Sequence, residues 1–280
     1  MTNFELAKIA NQVRKGILSS VHEAKAGHPG GSLSAADLYT FLYFEEMKVD
    51  PKNPDDPDRD RFVLSKGHTA PGLYAALAHK GFFPVEDLLK LRKLGSYLQG
   101  HPDMKSTPGV DMSSGSLGQG VSAAVGMALG AKMDGKDFRV YSLLGDGEIQ
   151  EGQVWEAAMF AGARQLDNLV LIVDVNGLQI DGKIEDVCNP HPIDEKFKAF
   201  NFNVITIDGH SFDDMRDAFA KARAAKGQPT AIIMKTVKGK GVSFMENNAD
   251  WHGKAPNDEQ YEVAMADLNK IDEELAKGDK

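Results

Sequence analysis

An open, mostly parallel α/β sheet with helices on both faces is the fold this sequence predicts. The first reason is a pair of apolar, β-branched runs, 139–144 (RVYSLL) and 169–175 (LVLIVDV), of the kind buried on both sides in a parallel sheet. The second is how each run ends, in a polar turn carrying glycine: Gly145-Asp146-Gly147-Glu148 and Asn176-Gly177-Leu178. The third is spacing. Gln150 to Leu166 is long enough for one crossover helix, and strand-like and helix-like stretches alternate along the chain.

The remaining elements follow in order. Residues 4–26 place Leu6, Ile9, Val13, Ile17 and Val21 at helical spacing, and the helix is expected to stop in a loop at Gly27-His28-Pro29-Gly30-Gly31-Ser32. A second helix is expected from Ser34 through Met47, then a Pro- and Asp-rich surface loop over 50–61. Arg61 to Lys66 reads as a short strand ending in Gly67-His68. Leu73–Gly81 and Pro84–Leu94 read as helices, the latter with Glu86 and Asp87 in its first turn. Gly95 to Gly115 lacks periodicity, and such long loops inside a compact domain usually serve function. Gly118–Met133 is a helix of small residues. Strands at 202–207 and 231–237 enclose a helix over 213–225. The charged stretch 258–280 forms a last amphipathic helix with Tyr261, Met265, Leu268 and Leu275 on one side, either a packed end cap or the start of a docking surface.

Bulk properties exclude several roles. A net charge of −9 opposes binding to nucleic acid or an anionic membrane. No apolar run approaches the roughly 20 residues of a membrane span, and Thr2-Asn3-Phe4-Glu5 lacks the cationic start of a signal peptide. Cys188 is the only cysteine, which points to the cytoplasm. It reads as a bland thiol, because its neighbours include no activating base.

Chemistry concentrates at the strand ends, where ligands of open α/β sheets bind. With the two runs as neighbouring strands, Asp146 and Asn176 stand side by side and offer hard oxygens to one cation. Mg²⁺ shares such ligands with phosphate and water, so the pair predicts a metal-bridged diphosphate. Gly27-His28, Gly67-His68, Gly100-His101 and His252-Gly253 each set a histidine beside glycine in a turn. Each alone reads as a surface loop residue; together they read as close-approach points with acid–base capacity. Lys66, Lys238, Lys240 and Lys254 sit at turns suited to phosphate, although each singly also reads as a solvated cation. Glu148 and Glu151 suit a helix N-terminus electrostatically, and Glu151 is close enough to the predicted metal to join a proton relay or an interface. Gly118-Gln119-Gly120-Val121-Ser122-Ala123 fits a dinucleotide fingerprint, but no strand precedes it, so it reads as a helix start with exposed amides.

With Gly145-Asp146-Gly147 and Asn176, the chain resembles the thiamine-diphosphate enzymes. Ala26-Gly27-His28-Pro29-Gly30, the 62–68 run FVLSKGH, Gly100-His101-Pro102, the 115–120 run GSLGQG and Trp251-His252-Gly253-Lys254 narrow the resemblance to the transketolase family over about residues 10–256. It implies the thiamine-diphosphate-binding fold, with 1–257 as the diphosphate-binding domain and 258–280 as a helical tail. It implies a metal, Mg²⁺ or Ca²⁺, held by Asp146, Asn176 and the Leu178 carbonyl. Cofactor contacts would come from Lys66, His68, Gly115, Ser116, Leu117, Gly147, Glu151, Asn176, Lys238 and Lys254. His28, His101 and His252 would face the donor sugar.

One-piece members of that family continue into a pyrimidine-binding and a C-terminal domain, which hold the activating glutamate and the substrate-phosphate ligands. The chain therefore resembles the N-terminal subunit of a two-chain transketolase. The charged 258–280 stretch is expected to be a natural terminus, with a cloned fragment as the alternative. The implied activity is transfer of a two-carbon ketol group from a ketose phosphate to an aldose phosphate in the pentose phosphate pathway, in a cytoplasmic α2β2 assembly. The alternatives are a specialised transketolase acting on an unusual sugar phosphate, another thiamine enzyme (a deoxyxylulose phosphate synthase or a dehydrogenase subunit), a non-catalytic cofactor-binding subunit, or an NAD-binding domain at Gly118-Gln119-Gly120.

Overall fold

The computed structural model describes residues 1–278. The chain enters through α1 (Asn3–Ala24), whose start is closed by a reciprocal cap: Thr2 accepts from the Glu5 amide and Glu5 accepts from the Thr2 amide. Short helices α2 (Pro29–Ser34) and α3 (Ala36–Phe41) follow, then a single π turn over Leu42–Glu46. After the 50–60 loop come β1 (Arg61–Leu64) and α4 (Ala70–Lys80). A 3₁₀ turn at Val85–Lys90 leads into the long loop, which ends at α5 (Gln119–Met133). Next are β2 (Val140–Gly145), α6 (Gly152–Ala163) and β3 (Leu169–Val175). A two-strand hairpin, β4 (Leu178–Gln179) and β5 (Gly182–Lys183), precedes α7 (Ile184–Cys188) and α8 (Ile193–Ala199). The chain closes with β6 (Asn203–Asp208), α9 (Phe212–Ala224), β7 (Thr230–Lys235) and α10 (Asp258–Gly278).

The main sheet is parallel throughout, in the order β1-β2-β3-β7-β6. Its register brings Leu64 beside Leu143, Gly145 beside Asp174, and Val175 beside Lys235. All the polar turns therefore leave the sheet at one edge. Alternate strand residues feed two separate cores. Leu143, Val170, Ile172 and Met234 pack beneath α1, α3, α4 and α9, while Leu144, Leu171, Val173 and Ile233 pack beneath α5, α6 and α8. Burial on both faces is why these runs carry almost no polar residues.

The helix α10 lies along α1. Ala264 and Leu268 are fully buried there, Asn11 donates to the Leu268 carbonyl at 2.8 Å, and His22 stacks on Tyr261. Of the expected 258–280 helix, residues 279–280 lie outside the described residues.

Three expectations change. The stretch 27–32 is not a loop throughout, because residues 29–34 are helical. Pro29 begins that helix, where its missing N–H costs nothing. Its glycines serve packing, since a Cβ on Gly30 would stand 2.8 Å from the Trp251 carbonyl. The single helix expected over 34–47 divides at Ala35, and 84–94 tightens to a 3₁₀ turn. The hairpin and the two short helices of 178–199 were not anticipated, because elements of two to seven residues are too short to establish a period.

Candidate functional site

A cavity of about 330 Å³ opens at the carboxyl ends of β1, β2, β3 and β7. Its floor is polar. Asp146, just past β2, is 2% exposed, and its two carboxylate oxygens accept the main-chain N–H groups of Gly147 (2.9 Å) and Gly177 (2.6 Å). The second of these bonds ties the β2 turn to the β3 turn and sets Asp146 against Asn176. Asn176 Nδ2 donates to Asp174, which leaves its Oδ1 to accept from the Leu178 N–H at 3.2 Å. The Leu178 carbonyl accepts from Lys238 Nζ at 3.2 Å. Burial, then the neighbouring Asp174 charge, pushes the Asp146 carboxyl up to about 6. Such a group gains from a bound cation.

Four imidazoles from four separate segments meet above this floor. The rings of His28 and His68 are 5.2 Å apart, those of His28 and His252 5.5 Å, and those of His68 and His252 5.1 Å and stacked. His101 stands at the rim, its ring 6.5 Å from His28. Gly67 permits the approach: a Cβ there would lie 2.8 Å from the Gly115 nitrogen. Burial first, then the Arg92, His101 and Lys238 charges, lowers the His28 imidazole to about 4. Burial and Lys238 lower His252 to about 3, and His68 is also pushed well below its ordinary value. The imidazoles are therefore neutral at pH 7, each with one nitrogen able to donate and one able to accept. The Nδ1 of His28 is buried without a hydrogen-bond partner, a polar group waiting for a ligand.

Lys238 is 2% exposed and is lowered to about 8 by burial and by Lys66, against the pull of Asp146 and Asp174. An ammonium has no acceptor, so at 3.0 Å it donates to His252 Nδ1 and leaves the ring's Nε2 carrying hydrogen.

Of the residues singled out from the sequence, His28, Lys66, His68, Gly115, Leu117, Asp146, Gly147, Glu151, Asn176, Leu178, Lys238 and His252 surround this cavity. His101, Ser116, Lys240 and Lys254 are not among those lining it. The Lys254 ammonium lies 5.2 Å over the Trp251 ring. Lys66 is less free than expected, being ion-paired with Asp174 and nearly sealed from solvent.

Asp174 was not singled out, yet it also accepts from Ser34 Oγ at 2.6 Å and from Thr236. The available signal was a carboxylate inside an apolar strand, which must be paired to be buried. Glu148, expected only to complement a helix dipole, is buried and accepts from Ser65 (2.5 Å), the Gly118 N–H (2.9 Å) and the Gly145 N–H (3.1 Å). It clamps the α5 turn to the ends of β1 and β2. Gly118-Gln119-Gly120 does follow a loop and opens α5.

The oxygens of Asp146, Asn176 and Leu178 suit a hard divalent ion that takes its remaining ligands from phosphate and water. Among the described residues no cluster of three His, Cys, Asp or Glu side chains forms a self-sufficient metal cage. The donor set therefore fits an ion that arrives with a diphosphate.

Comparison with known proteins gives a consistent answer. The profile for the transketolase, thiamine diphosphate binding domain, matches residues 6–269. The chain is 48% identical over 266 residues to the 6-deoxy-6-sulfo-D-fructose transketolase subunit SqwG of Clostridium sp. (strain MSTE9), covering 95% of this chain and 97% of that protein. It is 43% identical over 264 residues to one of the apulose-4-phosphate transketolase subunits of Phocaeicola vulgatus, covering 94% of each. Against Mus musculus transketolase, 46% identity over 253 residues covers 89% of this chain but only 40% of the relative. Campylobacter jejuni transketolase superposes with a TM-score of 0.89 at 33% identity, over 99% of this chain and 48% of that one. The chain thus spans less than half of the one-piece enzymes and nearly all of the subunits.

Proposed function

The chain belongs to the transketolase family, in its thiamine-diphosphate-binding domain, and from that premise we propose that it is the N-terminal subunit of a two-chain transketolase. It would bind thiamine diphosphate through Mg²⁺ and act with a C-terminal partner in an α2β2 assembly, in the cytoplasm and the pentose phosphate pathway. The observation that carries the reading is the meeting of four neutral imidazoles above the Asp146–Asn176 pair. A protein that only stored the cofactor would need the pair but not the imidazoles.

Bound thiamine diphosphate supplies the nucleophilic carbon and the electron sink for breaking and forming the ketose carbon–carbon bond. The chain's own residues do the rest. Asp146, Asn176 and the Leu178 carbonyl hold the ion. His68, Lys238, Gly147 and the amides of Gly115 and Leu117 receive the diphosphate, with Lys66 and Glu151 near it. His28 and His252 exchange protons with the sugar oxygens, each contributing about 10²–10⁴-fold to rate. His101, at the rim, anchors the terminal hydroxyl.

The test is reconstitution. The purified chain with Mg²⁺ and thiamine diphosphate should show no ketol transfer, and a purified partner carrying the pyrimidine-binding and C-terminal domains should restore it. Transfer by the chain alone would overturn the proposal. A second reading, a specialised subunit for an unusual sugar, is favoured by the two relatives named for sulfofructose and apulose 4-phosphate, which this chain matches over 94% or more of both lengths. A panel of ketose donors assayed with the reconstituted pair separates the two.

A further inference from the structure

We propose that His210, which lies outside the cavity, is a positioning residue that pins the Val237–Lys238 turn so that Lys238 bridges His252 and the Leu178 carbonyl. The inference rests on the functional reading above for its consequence, and on the following geometry for its substance. His210 follows β6. Its Nδ1 is 2.7 Å from Asp37 Oδ2, and a carboxylate can only accept, so Nδ1 carries the hydrogen. Nε2 is then an acceptor, and the Val237 N–H donates to it at 3.0 Å. Asp37 is in turn held by Arg14 at 2.5 Å, and these two residues are 5% and 7% exposed. A guanidinium thus fixes a carboxylate, the carboxylate fixes an imidazole tautomer, and the imidazole fixes one main-chain amide.

That amide precedes Lys238. The other ties of this turn, Gly239 N–H to the Gly30 carbonyl at 3.0 Å, Lys240 N–H to the Val237 carbonyl at 3.2 Å and Asn247 N–H to the Lys238 carbonyl at 2.9 Å, are main-chain bonds. His210 is the side chain that restrains the turn at Val237. Restraint matters because the one Lys238 ammonium serves two acceptors, His252 Nδ1 at 3.0 Å and the Leu178 carbonyl at 3.2 Å. Lys238 in turn decides which nitrogen of His252 carries hydrogen. Supporting partners of this kind, one step from the ligand, commonly change affinity by about 10–100-fold.

Two readouts test the proposal: the dissociation constant for thiamine diphosphate at saturating Mg²⁺, and the ¹⁵N chemical shifts of His252 in the chain alone. His210→Phe keeps the ring and removes both hydrogen bonds. It should weaken cofactor binding roughly tenfold and move His252 Nδ1 away from its acceptor shift. His210→Gln, whose amide oxygen reaches the Val237 N–H, should restore both. Adding His210→Phe to Lys238→Met should weaken binding no further, because coupled sites are not additive. Unchanged affinity and unchanged His252 shifts in folded His210→Phe, or additive losses in the double variant, would overturn the proposal. Should His210→Phe fail to fold, His210→Asn, which keeps the Asp37 bond and lacks the Val237 acceptor, decides by the same readouts. Absence of cofactor binding in the unmodified chain would count against the functional reading, while the His252 shifts would still decide the positioning role.

Discussion

Lys66 and Asp174 form an ion pair with almost no access to water, at 2% and 0% exposure, across the end of β2 from the ends of β1 and β3. Lys66 also donates to the Gly31 carbonyl at 3.2 Å, and Asp174 also holds Ser34, Thr236 and Asn176. The pair therefore orients Asn176 as well as neutralising two buried charges. Burial opposes ionisation of Asp174, but Lys66 and its hydroxyl donors win and hold the carboxyl below its ordinary value.

Removing one partner strands the other. Lys66→Met should cost about 3–5 kcal/mol in urea unfolding, and Lys66→Met with Asp174→Leu should recover much of that loss. Because the folded carboxyl is depressed, the pair's contribution is fully present above the ordinary carboxylate range and is lost as pH falls from there through the depressed folded value. A single variant as stable as the parent protein would contradict this account.

The histidine cluster gives stability the same direction of change over a higher range. His28 and His252 are depressed to about 4 and about 3, so the unfolded chain binds more protons than the folded one below about 6.5. Thermal midpoints should fall steadily as pH drops from 6.5 toward 4, and His28→Asn should flatten that slope. Ring resonances of His28 and His252 titrating near 6.5 would refute neutral burial.

Cofactor binding and turnover should separate by residue. Asp146→Ala should abolish Mg²⁺-dependent binding of thiamine diphosphate, measured by fluorescence quenching. His252→Ala should largely keep binding while lowering turnover of the reconstituted enzyme by about 10²-fold or more. Equal loss of affinity in both would remove the proton-transfer role from His252.

Glu148 should tolerate no isostere. Glu148→Gln offers an N–H where the Gly118 and Gly145 N–H groups and the Ser65 hydroxyl need an acceptor. A buried donor left unpaired costs about 1–3 kcal/mol. Chemical denaturation should register that loss, and Glu148→Asp should not rescue it, because the shorter side chain cannot reach all three groups.

Much of this was legible in the chain as written. The runs at 140–144 and 169–173, apolar but for Ser142, read as doubly buried strands because side chains there face one of two cores. The strand-end turns announced Asp146, Asn176, His68 and Lys238 because parallel strands deliver their carboxyl ends to one edge. The π turn after Phe41 and the hairpin at 178–183 were not legible, since their geometry depends on what they pack against.

Residue type and period along the chain were enough to determine the sheet, its direction and the side chains that gather at its rim, because these depend on local burial and on strand polarity. Only the tertiary structure decided the pairings. Lys66 found Asp174, His210 found both Asp37 and Val237, and Glu148 found the α5 turn, across separations of 108, 173 and 27, and 30 residues. No periodicity encodes such partners. They are chosen by the cost of leaving a buried charge or N–H unmatched once the strands have come together.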